Sequence, residues 1–308
     1  MINGGRKNNL PPGSVGIGDD AAVISVDGRQ QLVVTTDTMV SGVHFPPDTE
    51  PADIGHKALA VNLSDLAAMG AEPAWFFLAL TLPAADTRWV EAFAAGMGAL
   101  AADAGVILAG GDTTSGPLSI TITALGLVSP GEALLRSTAR ANDLVVVSGS
   151  PGLAAVALHC LQLKLPVDHA AWRAFTRPEP RLTLGRALRR KATACIDISD
   201  GLAADLGHIA SASQLGAEVI LDCLPRVPAM HTLEREKLWD LQLGGGDDYE
   251  LCFTLPPALE RELPALAATG GTELTIVGRM TAAAGLRCKR PDGTKFTPSR
   301  QGFDHFRQ

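Results

Sequence analysis

Apolar positions along the chain fall into short runs of two kinds. Alternating or fully apolar runs, rich in β-branched residues, occur at 21–24, 32–36, 75–82, 106–109 and 118–128, and predict strands. Apolar positions at helical spacing predict helices over 52–69 and 87–104. Pro51 precedes the first and Gly70 closes it, while Gly105 stops the second. Residues 136–143 (RSTARAND) turn polar and mark a boundary, giving expected domains of 1–137 and 138–308. Beyond it, strands are expected at 144–148, 194–198, 217–221, 249–254 and 273–277, interleaved with helices over 153–163, 181–190, 202–214 and 257–268. Ser150 reads as the cap of the helix at 153, with Pro151 at its first position. The pattern is α/β (α+β), with no short-period repeat.

Composition narrows the function classes. The 308 residues suffice for two domains, each with its own core. With 46% apolar and 19% charged residues, the chain reads as a folded α/β protein rather than a disordered one. Lys and Arg number 26 against 33 Asp and Glu, a net charge of −7, so no basic field exists to hold a nucleic acid backbone. The five cysteines, Cys160, Cys195, Cys223, Cys252 and Cys288, form no C-x-x-C pair and are expected to be reduced and buried. No apolar leader and no run near the ~20 residues of a membrane span is present, so a cytoplasmic location without membrane contact is expected.

The aspartates carry the chemical signal. They stand in G-I-G-D-D (16–20), T-T-D-T (35–38), N-L-S-D (62–65), G-G-D-T-T (110–114), D-I-S-D-G (197–201) and G-G-G-D-D-Y-E (244–250). One Gly-Asp pair is ordinary turn chemistry. Six sites that join carboxylates to hydroxyls and glycines are equipment for hard cations and phosphates, because oxygen donors select Mg²⁺, Mn²⁺ or Ca²⁺. Several metal ions with a polyphosphate are therefore expected. Neither a G-x-x-x-x-G-K-[ST] loop, nor H-R-D and D-F-G, nor H-E-x-x-H occurs. The segment around Ser150 lacks the G-x-S-x-G spacing of a nucleophile elbow. Arg136, at the boundary, is either a cationic helper or a solvated hinge arginine. His44, after T-T-D-T, either touches ligand or is structural.

The stretches GIGDDAAVI, TTDTMVSGVHF, KALAVNLSDLAAMGAEPAW, GGDTTSGPLSI, IDISDGLAADLGHIA, DDYELCF and GFDHF, in this order from about residue 16 to 306, resemble the thiamine-monophosphate kinase family. Its superfamily also holds aminoimidazole ribonucleotide synthetase, selenophosphate synthetase and a hydrogenase maturation factor. The resemblance implies a two-domain aminoimidazole ribonucleotide synthetase-like fold. Its first domain binds ATP and metal and forms a homodimer through its sheet; its second is α/β. It also implies transfer of the ATP γ-phosphate to thiamine monophosphate. By resemblance, Asp20, Thr35, Thr36, Asp37, Asp65, Asp112, Asp197 and Asp200 are Mg²⁺ ligands. Gly111, Asp112, Arg136 and Ser199 are nucleotide contacts, and His44, Asp247 and Phe303 contact the acceptor. Asp37, Asp112 and Arg136 are the residues expected to carry catalysis. The family usually has Glu where Asp247 stands, and a short amphipathic helix where residues 1–14 are rich in Gly, Asn and Pro.

A phosphate monoester acceptor is largely dianionic at neutral pH, so no strong general base is needed; positioning and charge neutralisation supply most of the catalysis, in direct in-line transfer. Two other readings stay open on the residues alone. One is a superfamily sister that activates a different acceptor with ATP; the other is a catalytically silent nucleotide- or metal-binding scaffold.

Overall fold

The computed structural model describes residues 30–300 and Gly302. The strand expected at 21–24, Asp20 and Phe303 lie outside the described residues. The chain divides into two compact units. One comprises residues up to Leu66 together with Ala71–Gly131, and the other Ala67–Gly70 together with the residues from Glu132 on.

The first unit runs β1 (Gln31–Val40), α1 (Pro51–Ala68), β2 (Glu72–Leu82), α2 (Thr87–Ala104), β3 (Ile107–Ser115) and β4 (Ser119–Val128). Its sheet has the order β1-β4-β2-β3, with β2 and β3 parallel and the other pairs antiparallel. Strict alternation along β4 buries Ile120, Ile122 and Ala124 and leaves Thr121, Thr123 and Leu125 half-buried on the other face. α1 is apolar around most of its circumference and is accordingly sunk in the core, with Leu59, Leu63 and Leu66 fully buried. α2 is set by Asp86, whose carboxylate accepts from Arg88 N and Trp89 N, and by Gly105 at φ +70. β1 and β3 are longer than their apolar runs suggest. T-T-D-T and G-G-D-T-T were expected as turns, yet both are strand, because pairing with β4 and β2 and their β-branched threonines outweigh the turn preference of Asp and Gly.

The second unit runs β5 (Leu144–Ser148), α3 (Leu153–Gln162), α4 (His169–Thr176), α5 (Leu182–Leu188), β6 (Ala194–Asp197), α6 (Leu202–Ala212), β7 (Gly216–Ile220), α7 (Arg235–Gly244), β8 (Leu251–Leu255), α8 (Leu263–Gly270), β9 (Leu274–Thr281), β10 (Gly285–Lys289) and β11 (Lys295–Phe296). Its mixed sheet has the order β11-β10-β7-β9-β5-β8-β6. Val145 and Val147 enter one core with Leu202, Leu206 and Ile209 of α6, and Val146 enters another with Leu184 and Leu188 of α5 and Leu266 of α8. A sheet covered on both faces explains why β5 is apolar throughout. α4, α7, β10 and β11 have no counterpart among the sequence expectations. The helix expected over 257–268 opens as a 3₁₀ turn, Pro257–Glu262, because Pro264 can stand only in the first turn of α8. Cys195, Cys252 and Cys288 are buried and all five cysteines are free, but Cys160 is only half-buried and Cys223 is exposed. No helix among the described residues is long and apolar enough to cross a membrane.

The crossing of α1 and α2 depends on two glycines. A Cβ on Gly96 would lie 1.8 Å from Ala52 O, and one on Gly55 would lie 2.1 Å from Phe93 O. Gly96→Ala gains about 1 kcal/mol of helix propensity, but parting two packed backbones costs about 1–3 kcal/mol or more. Gly96→Ala is therefore expected to lower the urea midpoint despite the better helix former; an unchanged or higher midpoint would show that the helices separate freely.

Candidate active site

In the first unit, Thr35 and Asp37 alternate with Thr36 and Thr38 across the sheet. Thr35 Oγ1 donates to Asp65 Oδ2 at 2.5 Å, from β1 to the last turns of α1. Asp37 belongs to the same group: burial, then the charge of Asp65 and a hydrogen bond with it, raise its pKa from 3.8 to about 7. Thr35, Asp37 and Asp65 thus form one oxygen-only cluster. Thr36, grouped with them on sequence, instead meets Thr123 hydroxyl to hydroxyl at 3.0 Å on the opposite face, as Thr38 meets Thr121 at 2.8 Å.

Gly111 and Asp112 are on β3, paired with Leu78 and Ala79. β3 lies so close to β2 at this point that a Cβ on Gly111 would stand 2.0 Å from Leu78 O. Among the described residues β1 and β3 are the outer strands, so at the usual interstrand spacing Asp37 and Asp112 are about 14 Å apart across the sheet. Asp112 is exposed and outside the Asp37 cluster. Among the described residues no three His, Cys, Asp or Glu side chains converge as a ready-made metal cage. Mg²⁺ does not demand such a cage. The physical reason is general: Mg²⁺ takes one or two carboxylates and completes its octahedron with water and substrate phosphate. His44 braces the turn after β1: its Nδ1 accepts from Val40 N at 2.9 Å, and Lys57 Nζ reaches its carbonyl at 3.4 Å.

In the second unit, D-I-S-D-G and G-G-G-D-D-Y-E, some fifty residues apart in sequence, form one structure. Ile198 N donates to Glu250 O at 2.7 Å, Tyr249 N to Ile198 O at 2.8 Å and Asp247 N to Ser199 O at 2.9 Å, which continues the β6–β8 ladder past both strands. Gly246 is required for this, since a Cβ there would meet Ser199 O at 2.2 Å. Asp197 is buried at the end of β6. The backbone amides of Ser199, Asp200 and Gly201 all donate to Asp205 Oδ2 at 3.1 Å, and fold the turn around that carboxylate. Burial, then the charge of Asp200, raises the Asp205 pKa to about 7 against the opposing pull of the three amides.

The four residues 247–250 face different partners. Asp247, at φ +68, accepts from Tyr249 OH at 3.0 Å. Asp248 is buried and accepts from Gly152 N at 2.7 Å and Ala154 N at 3.4 Å, at the N-terminus of α3. This corrects the expected Ser150 cap: the capping position is Gly152, at φ +91, and its cap comes from a remote aspartate. Glu250 is gripped by Arg181 and Ser148. Arg136 lies on an exposed 3₁₀ turn, Arg136–Thr138, held by Ser213 Oγ on its carbonyl at 2.9 Å and by Cys195 N on Leu135 O at 3.2 Å. Its charge and that of Asp197 both reach the thiol of Cys195, whose pKa is raised by burial first.

A family model for AIR synthase related protein, N-terminal domain, matches residues 18–128, and one for the C-terminal domain matches residues 140–290. The thiamine-monophosphate kinase of Salmonella typhimurium is 47% identical over 94% of this chain and 91% of its own length. That of Escherichia coli K12 is 46% identical over 95% and 92%. A solved thiamine-monophosphate kinase from Stenotrophomonas maltophilia superposes with a TM-score of 0.86 at 47% identity, covering 92% of each chain. The chain belongs to the thiamine-monophosphate kinase family. A further solved structure, AaThiL complexed with AMPPCP and TMP, superposes with a TM-score of 0.80 at 30% identity, covering 94% of this chain and 92% of that one.

Family membership makes the chain an ATP-dependent kinase of two α/β domains, and it gives the carboxylates that sequence reasoning passed over a context. Asp205, Asp248 and Glu250 are not extra turn residues; each holds an acidic turn in place from behind. Asp248 and Glu250 stand in the G-G-G-D-D-Y-E motif, and for Asp205 a carboxylate one turn into a helix after D-G was the local signal. Capping predicts a sharp contrast. Asp248→Ala strands two buried amides and is expected to cost about 2 kcal/mol of stability, whereas Ser150→Ala should stay within about 0.5 kcal/mol. Chemical denaturation of both variants checks this, and an equal or larger loss for Ser150→Ala would restore the local cap.

Proposed function

We infer that the chain transfers the γ-phosphoryl group of ATP to thiamine monophosphate, giving thiamine diphosphate and ADP, with Mg²⁺ required. The observation that carries this reading is the Thr35–Asp37–Asp65 oxygen cluster in a member of this kinase family. It is supported by the relative whose structure holds AMPPCP, a non-hydrolysable ATP analogue, together with TMP. The donor set fits Mg²⁺: it is oxygen only, and two partly buried carboxylates that repel each other are relieved by a divalent cation. On this reading several Mg²⁺ ions are bound: Thr35, Asp37 and Asp65 serve one, Asp20, Thr36 and Asp112 of the same domain 1–137 serve others, and Asp197 and Asp200 of domain 138–308 serve theirs. When bound, Mg²⁺ neutralises the phosphate charge that grows as the γ-phosphoryl group departs.

The chain's own residues do the positioning. Gly111, lacking a side chain, and Ser199, on the folded turn, admit the nucleotide, and Arg136 supplies a fixed cation. Asp247 meets the cationic thiazolium, with His44 and Phe303 as further acceptor contacts. The acceptor phosphate carries its own negative charge, so no residue has to remove a proton, and in-line attack follows from alignment alone. ATP as co-substrate agrees with the cytoplasmic location expected from the sequence.

The reaction is tested by incubating the protein with ATP, Mg²⁺ and thiamine monophosphate and identifying thiamine diphosphate by mass spectrometry. Asp37→Asn is expected to lower kcat at least about a hundredfold, the size of losing one charge-stabilising contact in the transition state. Its melting temperature should be unchanged or higher, since the variant removes one of two repelling carboxylates. Full turnover in excess EDTA would refute the metal requirement.

The same reading includes a homodimer. Leu32 and Val34 are 43% and 55% exposed on the outer strand β1, and share their face with Thr36 and Thr38. Among the described residues no further strand pairs β1, and an edge with apolar side chains is a ready pairing surface. Sedimentation at micromolar concentration is expected to show a dimer, and Val34→Asp to shift it toward monomer; a wild-type monomer would contradict the assignment.

A further inference from the structure

The turn that carries Asp247 does not hold itself. Asp247 and Tyr249 both sit at positive φ, +68 and +52, a region that costs a non-glycine residue about 1 kcal/mol or more. Three carboxylates, Asp247, Asp248 and Glu250, crowd into four residues and repel one another. Such a conformation persists only when its surroundings over-determine it.

Much of that determination passes through Glu250. Its Oε2 accepts from Arg181 Nε at 2.8 Å and its Oε1 from Arg181 Nη2 at 2.5 Å, a two-pronged fork. Ser148 Oγ also donates to Oε2 and itself accepts from Leu251 N at 2.9 Å, which locks the carboxylate to the end of β5 and the start of β8. The carboxylate fits only because position 149 is glycine: a Cβ there would lie 2.0 Å from Oε1. Both partners are sheltered, with side-chain exposures of 17% for Arg181 and 10% for Glu250. A sheltered fork has far more leverage than an exposed ion pair, whose typical worth is below about 1 kcal/mol. From Glu250 the constraint runs along the backbone: Glu250 O to Ile198 N, Tyr249 N to Ile198 O, and Asp247 N to Ser199 O.

We propose that Arg181, at the N-terminus of α5, is a positioning residue for the acceptor side of the reaction, acting through its fork on Glu250 to hold Asp247 in place, while the Ser199 turn keeps its own anchor in Asp205. Arg181 touches neither substrate in this assignment. The proposal rests on Asp247 being an acceptor contact.

Arg181→Lys keeps the charge and loses the fork. It is expected to raise KM for thiamine monophosphate about tenfold, while KM for ATP moves less than about twofold. Glu250→Gln keeps the side-chain volume, breaks one arm of the fork and is expected to give the same split; it decides alone if Arg181→Lys does not fold. In an Asp247→Ala background either change should leave acceptor KM where Asp247→Ala has already put it, because the route through Asp247 is gone. Equal rises in both KM values, a lower melting temperature with both KM values unchanged, or full additivity with Asp247→Ala would overturn the proposal and leave the Asp247 contact standing. Unchanged acceptor KM in Asp247→Ala itself would instead remove the contact, and the proposal with it.

Discussion

Holding carboxylates close together is the constraint on which the rest of this architecture depends. Two unit charges 4 Å apart repel by roughly 4 kcal/mol at an effective dielectric of 20, several times what a surface ion pair returns. The protein meets this cost in two ways. Where acids face each other directly, as Asp37 faces Asp65, burial and repulsion raise the Asp37 pKa. Where acids share a turn, each is given separate donors: three backbone amides for Asp205, the start of α3 for Asp248, and Arg181 with Ser148 for Glu250.

The anchors come from parts of the fold that are rigid for other reasons. β5 is buried on both faces, so Ser148 at its end is a fixed post. α5 packs Leu184 and Leu188 into a core, and that packing fixes Arg181 next to its first residue. Hydrophobic burial thus sets where the polar anchors stand, and the anchors set the acidic turns. In the first unit the same logic joins β1 to α1: α1 is sunk among apolar side chains, and Asp65 rides on it to reach Thr35 and Asp37.

Much of this was legible in the sequence, and the reason is local. Helix stops at Gly70 and Gly105 follow from the left-handed conformation that only glycine adopts cheaply, and the uniformly apolar run of β5 follows from a strand covered on both faces. The aspartates were conspicuous because carboxylates beside hydroxyls and glycines have few other uses, and the order of seven motifs indicated the family that the comparisons with solved and curated relatives then established. Tertiary structure decided what depends on partners distant in the chain. T-T-D-T and G-G-D-T-T look like turns in isolation and are strands because β4 and β2 pair with them. Ser150 has the side chain of a cap, but Asp248, nearly a hundred residues on, supplies it. Glu250 stands in an acidic motif, but nothing in the sequence joins it to Arg181, since a buried fork is made by two elements meeting and neither strand periodicity nor helix capping encodes which charge meets which.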